Sequence, residues 1–308
     1  MALLSAPLLP LRGFGQARLK SSQSLSSTHA GSPARTRTLA EQLGSSTAGR
    51  GVITGATRHR LLHFTFDDGP DTEQTPRLLD ALDRAEMKAT FFFSTSRFVS
   101  REARNASAAE LAKEVARRGH NLGSHSSEHQ RMARLGPPAL RDQLRRSDEA
   151  FERIFGAQTR LFRPPYGSRN GALDAMLAER RDATVMWNIG MADWVERAPE
   201  LIALTFFRVL ERNERDRGER GGVILMHDTH VWSVDAFELI AAELLRRNCD
   251  LLARGEQLYD STEDLSFFAA EPSAEVLAAR QEIMRKRFGE RCAKVDRASA
   301  KTGASQRQ

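Results

Sequence analysis

Two adjacent carboxylates, Asp67 and Asp68, close the string His63-Phe64-Thr65-Phe66-Asp67-Asp68-Gly69-Pro70. The residues before them alternate in the β manner and Gly69-Pro70 breaks the run, so both acids are expected where a strand gives way to a loop. Loops on a rigid scaffold are where catalytic side chains collect. Asp-Gly and Gly-Pro are also ordinary turn residues, and this string alone does not separate an acidic turn from the edge of an active site.

A second candidate is Gly123-Ser124-His125-Ser126-Ser127-Glu128-His129, with two imidazoles four residues apart. Imidazole is the commonest protein ligand for Zn²⁺, and a catalytic zinc site typically has three protein ligands and one position left for water. Two His and one carboxylate complete such a set. The same letters match the His-x-x-Glu-His pattern of inverzincin proteases, with Glu128 as base and a distant Glu as third ligand. That reading needs a regular helix through His125 and His129, which Gly123, Ser124, Ser126 and Ser127 disfavour, and it gives Asp67 and Asp68 no role.

Three further motifs close β-like runs. Leu161-Phe162-Arg163-Pro164-Pro165-Tyr166-Gly167 is a stiff turn that could aim the Arg163 guanidinium and the Tyr166 backbone N–H into a site, the second suited to an oxyanion. Met186-Trp187-Asn188-Ile189-Gly190-Met191-Ala192-Asp193-Trp194 ends with a carboxylate beside an aromatic, and Val223-Ile224-Leu225-Met226-His227-Asp228 is a buried strand ending in His-Asp.

The elements that must position these groups follow a β-then-helix rhythm from residue 60 onward, the pattern of a wound α/β protein. Strands are expected at Leu61 to Phe66, Thr90 to Ser94, Asn121 to Ser124, Leu161 to Arg163, Ala183 to Trp187, Val223 to Met226 and, weakly, Asp250 to Ala253. Helical periodicity fills Thr75 to Arg84, Ala108 to Arg118, Pro138 to Phe155, Gly171 to Arg181, Glu200 to Arg212 and Val234 to Asn248, with a terminal helix over Ala270 to Arg287 and a polar tail after Val295. In a parallel barrel, functional residues gather where strands end, on one face. The motifs satisfy that demand.

Charge narrows the function classes. The chain of 308 residues has a net charge of +6, but residues 1–58 alone carry seven Lys/Arg against Glu41, and residues 59–260 carry 30 basic and 32 acidic side chains. The basic leader lacks the interleaved aromatics of a nucleic-acid surface and reads as disordered, so no nucleic-acid partner is expected. Met1 to Leu11 is apolar but broken by Ser5, Pro7 and Pro10, and is too short for a transmembrane segment. It is a poor secretory signal, an Arg- and Ser-rich transit peptide is equally compatible, and localisation stays open. The two cysteines, Cys249 and Cys292, fit neither a disulfide scaffold nor a Cys-rich zinc site. Any metal must therefore use His and carboxylates. The expected organisation is a leader over 1–58, a catalytic domain over 59–262 and a terminal helix with tail over 263–308.

In this order, the Asp pair, the His pair, the Arg-Pro-Pro-Tyr turn, the Asp-Trp and the His-Asp resemble the polysaccharide deacetylase family, the NodB-homology enzymes of carbohydrate esterase family 4, over about residues 60–260. The resemblance implies an α/β fold of the distorted (β/α)₇ barrel type with a groove across the strand ends. It implies a divalent metal held by Asp68, His125 and His129, Zn²⁺ by default with Co²⁺ or another first-row cation admissible. Asp67 would be the general base, kept ionised by Arg163, and His227 the general acid, with Asp193 as its acidic partner. Tyr166, Pro165 and Trp194 would face substrate. The implied activity is removal of acetyl groups from a glycan such as peptidoglycan or a chitin-like oligosaccharide, in the cell envelope or outside the cell. A related amidase acting on small linear or cyclic C–N bonds and a catalytically silent glycan-binding module are the alternatives. One position departs from the family pattern: Gly190 stands where a first Asp is usual. His63, His120, His230 and Asp228 are read as structural.

Overall fold

The computed structural model describes residues 37–98 and 103–305, the side chains of 103–105 and 294–305 excepted. The expected leader up to residue 36 lies outside the described residues. The strands are β1 (Val52–Ile53), β2 (Leu61–Asp67), β3 (Thr90–Phe93), β4 (Asn121–Ser124), β5 (Leu161–Phe162), β6 (Ala183–Val185), β7 (Ile189–Gly190), β8 (Gly222–His227) and β9 (Asp260–Ser261). The helices are α1 (Leu39–Gln42), α2 (Gln74–Ala85), α3 (Ala103–Arg117), α4 (Pro137–Phe155), α5 (Gly171–Glu179), α6 (Pro199–Arg217), α7 (Val231–Ala253), α8 (Ser266–Ala269) and α9 (Ala274–Ser305).

The strands form one parallel sheet in the order β1-β6-β5-β4-β3-β2-β8-β7, and β9 adds to β2 at Leu61 and Leu62. Its curl follows from what meets inside it. Ile53 of β1 and Val223 of β8 share one buried cluster with Phe92, Leu161 and Val185, although six steps of about 4.8 Å would separate those strands on a flat sheet. The result is a half-barrel of parallel strands with helices packed outside, the α/β architecture expected from the sequence.

β2 illustrates the two faces. Leu62, Phe64 and Phe66 point outward into the main core, where Phe64 meets Phe206 of α6 and Phe237 of α7 at ring separations of 6.0 and 5.3 Å. With side chains alternating along a strand, His63, Thr65 and Asp67 point inward. His63 is buried against the Thr262 carbonyl (2.6 Å) and the Thr90 hydroxyl (2.7 Å), and burial pushes its pKa down to about 4. It is a neutral structural group. His120 is likewise buried, accepts the Ala89 N–H at Nδ1 (3.2 Å), and is pushed down to about 3.

Helix ends follow local chemistry. Pro137 and Pro138 open α4, Gly156 in left-handed backbone closes it, and the Asn170 side chain caps α5 by accepting the Leu173 N–H at 3.0 Å. No helix among the described residues is long and apolar enough to cross a membrane.

Four expectations are corrected. Asp250 to Ala253 is the last turn of α7, and the short strand beside β2 is Asp260–Ser261. Three apolar residues after one acid fit helix and strand equally. The chain joins the compact unit at Arg37 rather than at residue 59, with β1 paired to β6. A two-residue strand leaves no readable period. The final helix runs past Arg287 to Ser305. Cys249 on α7 and Cys292 on α9 form a disulfide, with Cα atoms 5.5 Å apart, tying the last helix to its neighbour.

Candidate active site at the strand ends

Asp67 ends β2 on its inward row. A regular strand would turn the next side chain outward, but Asp68 adopts left-handed backbone at φ 76°, a region Asp tolerates better than most residues. Both carboxylates therefore reach the same imidazole: His125 Nε2 lies 3.7 Å from Asp67 Oδ2 and 3.5 Å from Asp68 Oδ1. His129 Nε2 stands 3.0 Å from Asp68 Oδ1.

The segment after β4 is a loop, not a helix. Ser126 and His129 have φ of 65° and 54°, and the Ser126 hydroxyl accepts the His129 N–H at 3.1 Å. Glu128 faces away, paired with Arg146 at 2.6 Å. The helix that the protease pattern requires is absent here.

Asp68, His125 and His129 place one ligand atom each within 4.8 Å of one another. His125 Nδ1 lies 2.8 Å from the Arg163 carbonyl, where it can only donate, so in the neutral ring the Nε2 lone pair faces Asp68. Burial lowers the His125 pKa and favours that neutral form. A bare lone pair beside a carboxylate is repulsive, and Asp68 Oδ1 has the two imidazole nitrogens, at 3.5 and 3.0 Å, as its neighbours. Two imidazole nitrogens converging on one carboxylate oxygen are what a divalent cation needs, so these residues fit one.

Asp67 has a different partner. Arg163 is fully buried and donates to Asp67 Oδ1 (2.8 Å), to Thr65 Oγ1 (2.6 Å) and to the Val185 carbonyl (2.9 Å), with its Cζ 4.3 Å from the Phe92 ring centre. These contacts leave the guanidinium one position. Pro165 is buried in the turn after β5, and Tyr166, at φ 60° and 55% exposed, brings its ring to 4.6 Å from His129.

On the opposite side His227 ends β8. Its Nδ1 lies 3.0 Å from Asp193 Oδ1, while Asp193 Oδ2 accepts the His227 N–H (2.8 Å) and the Ser233 hydroxyl (2.5 Å). Burial alone would lower the His227 pKa, but the hydrogen bond and charge of Asp193, with Asp67 and Asp68 behind it, raise it to about 9. Asp193 thus orients the imidazole without help from position 190. Trp194 is 50% exposed and meets His227 edge-on at 5.8 Å, so it lines the opening rather than the core. An open depression of about 620 Å³ runs from Trp194 past Trp187, Gly190 and Ala192 to Arg212.

Sequence reasoning missed Ser233 and Trp232, whose Nε1 donates to the Asp193 carbonyl at 2.7 Å. Both lie on α7 with no motif to flag them. Thr65 could have been found, since it shares the inward parity of Asp67. His230, stacked 4.7 Å from Trp232, stands beside this group, 6.2 Å from His227.

Residues 54–184 match the family model described as polysaccharide deacetylase. A peptidoglycan-N-acetylglucosamine deacetylase of Bacillus cereus is 31% identical over 200 residues, 63% of this chain and 66% of that protein. A peptidoglycan-N-acetylmuramic acid deacetylase of Bacillus subtilis is 28% identical over 63% of this chain and 38% of its own length. A chitin deacetylase of Colletotrichum lindemuthianum is 29% identical over 59% of this chain and 72% of its own. This chain spans less than two thirds of the length of the first curated relatives it matches. Among solved structures, a peptidoglycan N-acetylglucosamine deacetylase superposes with a TM-score of 0.55 at 26% identity, covering 71% of this chain and 91% of that one. Residues 54–184 thus carry a polysaccharide deacetylase domain, and the chain around them is similar in sequence and fold to deacetylases of that family.

Proposed function

We propose that the protein is a metal-dependent hydrolase that removes acetyl groups from a glycan, the N-acetyl amide of an amino sugar in a peptidoglycan- or chitin-like polymer. The observation that carries this reading is the division of two neighbouring carboxylates: Asp68 lies among imidazoles and Asp67 lies on a guanidinium. Two acids in different surroundings can do different work.

Asp68, His125 and His129 would hold the cation, Zn²⁺ by default for this donor set with Co²⁺ or another first-row ion as substitutes; when bound, it supplies Lewis-acid polarisation of the acetyl carbonyl and a more acidic water. Asp67 takes the proton of the attacking water, and the Arg163 hydrogen bond leaves its Oδ2 free to do so. The Tyr166 backbone N–H is assigned to the oxyanion. His227, protonated through Asp193, gives its proton to the leaving amine. Tyr166 and Trp194 frame the opening for the sugar rings. In this reading the catalytic domain is residues 59–262, set within a compact unit that spans Arg37–Gln308.

Acetate release from a panel of acetylated glycans, with the metal-stripped protein as control, tests the proposal. Metal-dependent acetate from at least one N-acetylated glycan is expected. A metal-loaded protein that frees none but cleaves small amides would replace it with the amidase reading, and a protein that takes no metal would leave a glycan-binding module.

A further inference from the structure

Asp228 follows His227, is fully buried, and has no part in the reaction described above. Its surroundings are specific. Thr75 Oγ1 donates to Asp228 Oδ2 at 2.5 Å, and the same hydroxyl accepts the Asp71 N–H at 2.8 Å. Gly69 lies directly on the carboxylate, so that a Cβ at position 69 would overlap both Asp228 oxygens. The Asp71 carbonyl accepts the Thr75 N–H at 3.1 Å, and Asp71 Oδ1 accepts the N–H groups of Glu73 (3.0 Å) and Gln74 (2.8 Å). The turn 68–71 and the first residues of α2 are therefore one piece, seated at two points on a single carboxylate at the end of β8.

That turn carries Asp68. The sheet ladder ends at Asp67, paired with Phe92 and His227, and Asp68 itself is in left-handed backbone. Its side-chain direction depends on what fixes the turn beyond it. We propose that Asp228, acting through Thr75 and against Gly69, is a positioning residue for Asp68, and that it holds the Asp68 turn in register with the strand bearing His227. This rests on the reading of Asp68, His125 and His129 as metal ligands. It explains why position 69 must be glycine, and it gives the His-Asp pair at the end of β8 two separate functions: His227 faces the substrate and Asp228 faces the metal loop. Partners that orient a ligand from behind are worth about 10–100-fold in metal affinity.

The test is Zn²⁺ affinity of the metal-stripped protein, measured by competition with a chromogenic chelator, alongside the melting temperature of the same metal-free samples. Thr75→Val and Asp228→Ala are expected to weaken Zn²⁺ binding by about 10–100-fold, whereas Thr75→Ser and Asp228→Asn, which keep the hydroxyl donor and its oxygen acceptor, recover most of it. Should Asp228→Ala fail to fold, Thr75→Val carries the comparison. Thr75→Val binding as tightly as wild type, with or without a lower melting temperature, would overturn the inference and leave Asp228 a packing group. A wild-type protein that takes no Zn²⁺ would overturn the metal reading and this inference with it.

Discussion

Arg163 reaches from the end of β5 to Asp67 at the end of β2 and donates to its Oδ1 at 2.8 Å, across the inside of the curled sheet. Both side chains are buried, so neither charge has water to fall back on. Breaking such a pair by removing one partner costs about 3–5 kcal/mol, because the other charge is stranded. Arg163→Met is therefore expected to lower the melting temperature markedly and to abolish acetate release. Calorimetry and an acetate assay on the same sample check both parts.

His227 gives a pH signature. Its folded pKa, raised to about 9 from an ordinary 6.5, means that the stability it contributes is fully present below pH about 6.5 and is lost as pH rises through about 9. An acid that must be protonated follows the same window, so turnover is expected to fall on the alkaline side. Asp193→Asn removes the group that raises the pKa. Its alkaline limb is expected at lower pH than wild type, with kcat down about 10²-fold or more at pH 8, where the imidazole has lost its partner. A pH–rate profile of both proteins reads the shift.

Gly190 is not a lesion in this account. Asp193 already satisfies His227, and a Cβ at position 190 would meet only the Trp187 ring edge, at 3.4 and 3.5 Å. Gly190→Asp is expected to leave kcat within about threefold, the range of a substitution that touches no essential contact. Steady-state kinetics on a small N-acetylated oligosaccharide measure it.

The Cys249–Cys292 bond closes a long loop between α7 and α9, well away in sequence from every proposed catalytic group. Cys292→Ser is expected to cost about 2–4 kcal/mol of stability, with kcat unchanged. Denaturant melts with and without reductant, compared with acetate release at low temperature, separate the two effects.

Much of this site was legible because its chemistry lies at strand ends, and strands announce themselves by period and punctuation. The inward row of β2 led to Asp67, and Gly69-Pro70 marked the turn beyond it. What was hidden depends on the third dimension. The parity break that brings Asp68 back to the site is a single left-handed residue, which no periodicity records. Ser233 and Trp232 hold Asp193 from a helix whose residues look like ordinary core. The pairing of Cys249 with Cys292 follows from helix packing, 43 residues apart. Asp250 to Ala253 reads as a strand in sequence because one acid and three apolar residues suit the end of a long helix as well as a strand.

The division of labour between two adjacent carboxylates is most directly tested by comparing Asp67→Asn with Asp68→Asn for bound Zn²⁺ and for acetate release in parallel. Asp67→Asn is expected to keep stoichiometric metal and lose turnover by about 10²–10⁴-fold, the usual worth of a general base. Asp68→Asn is expected to lose the metal itself. An Asp67→Asn protein that binds Zn²⁺ and turns over near the wild-type rate would contradict the account.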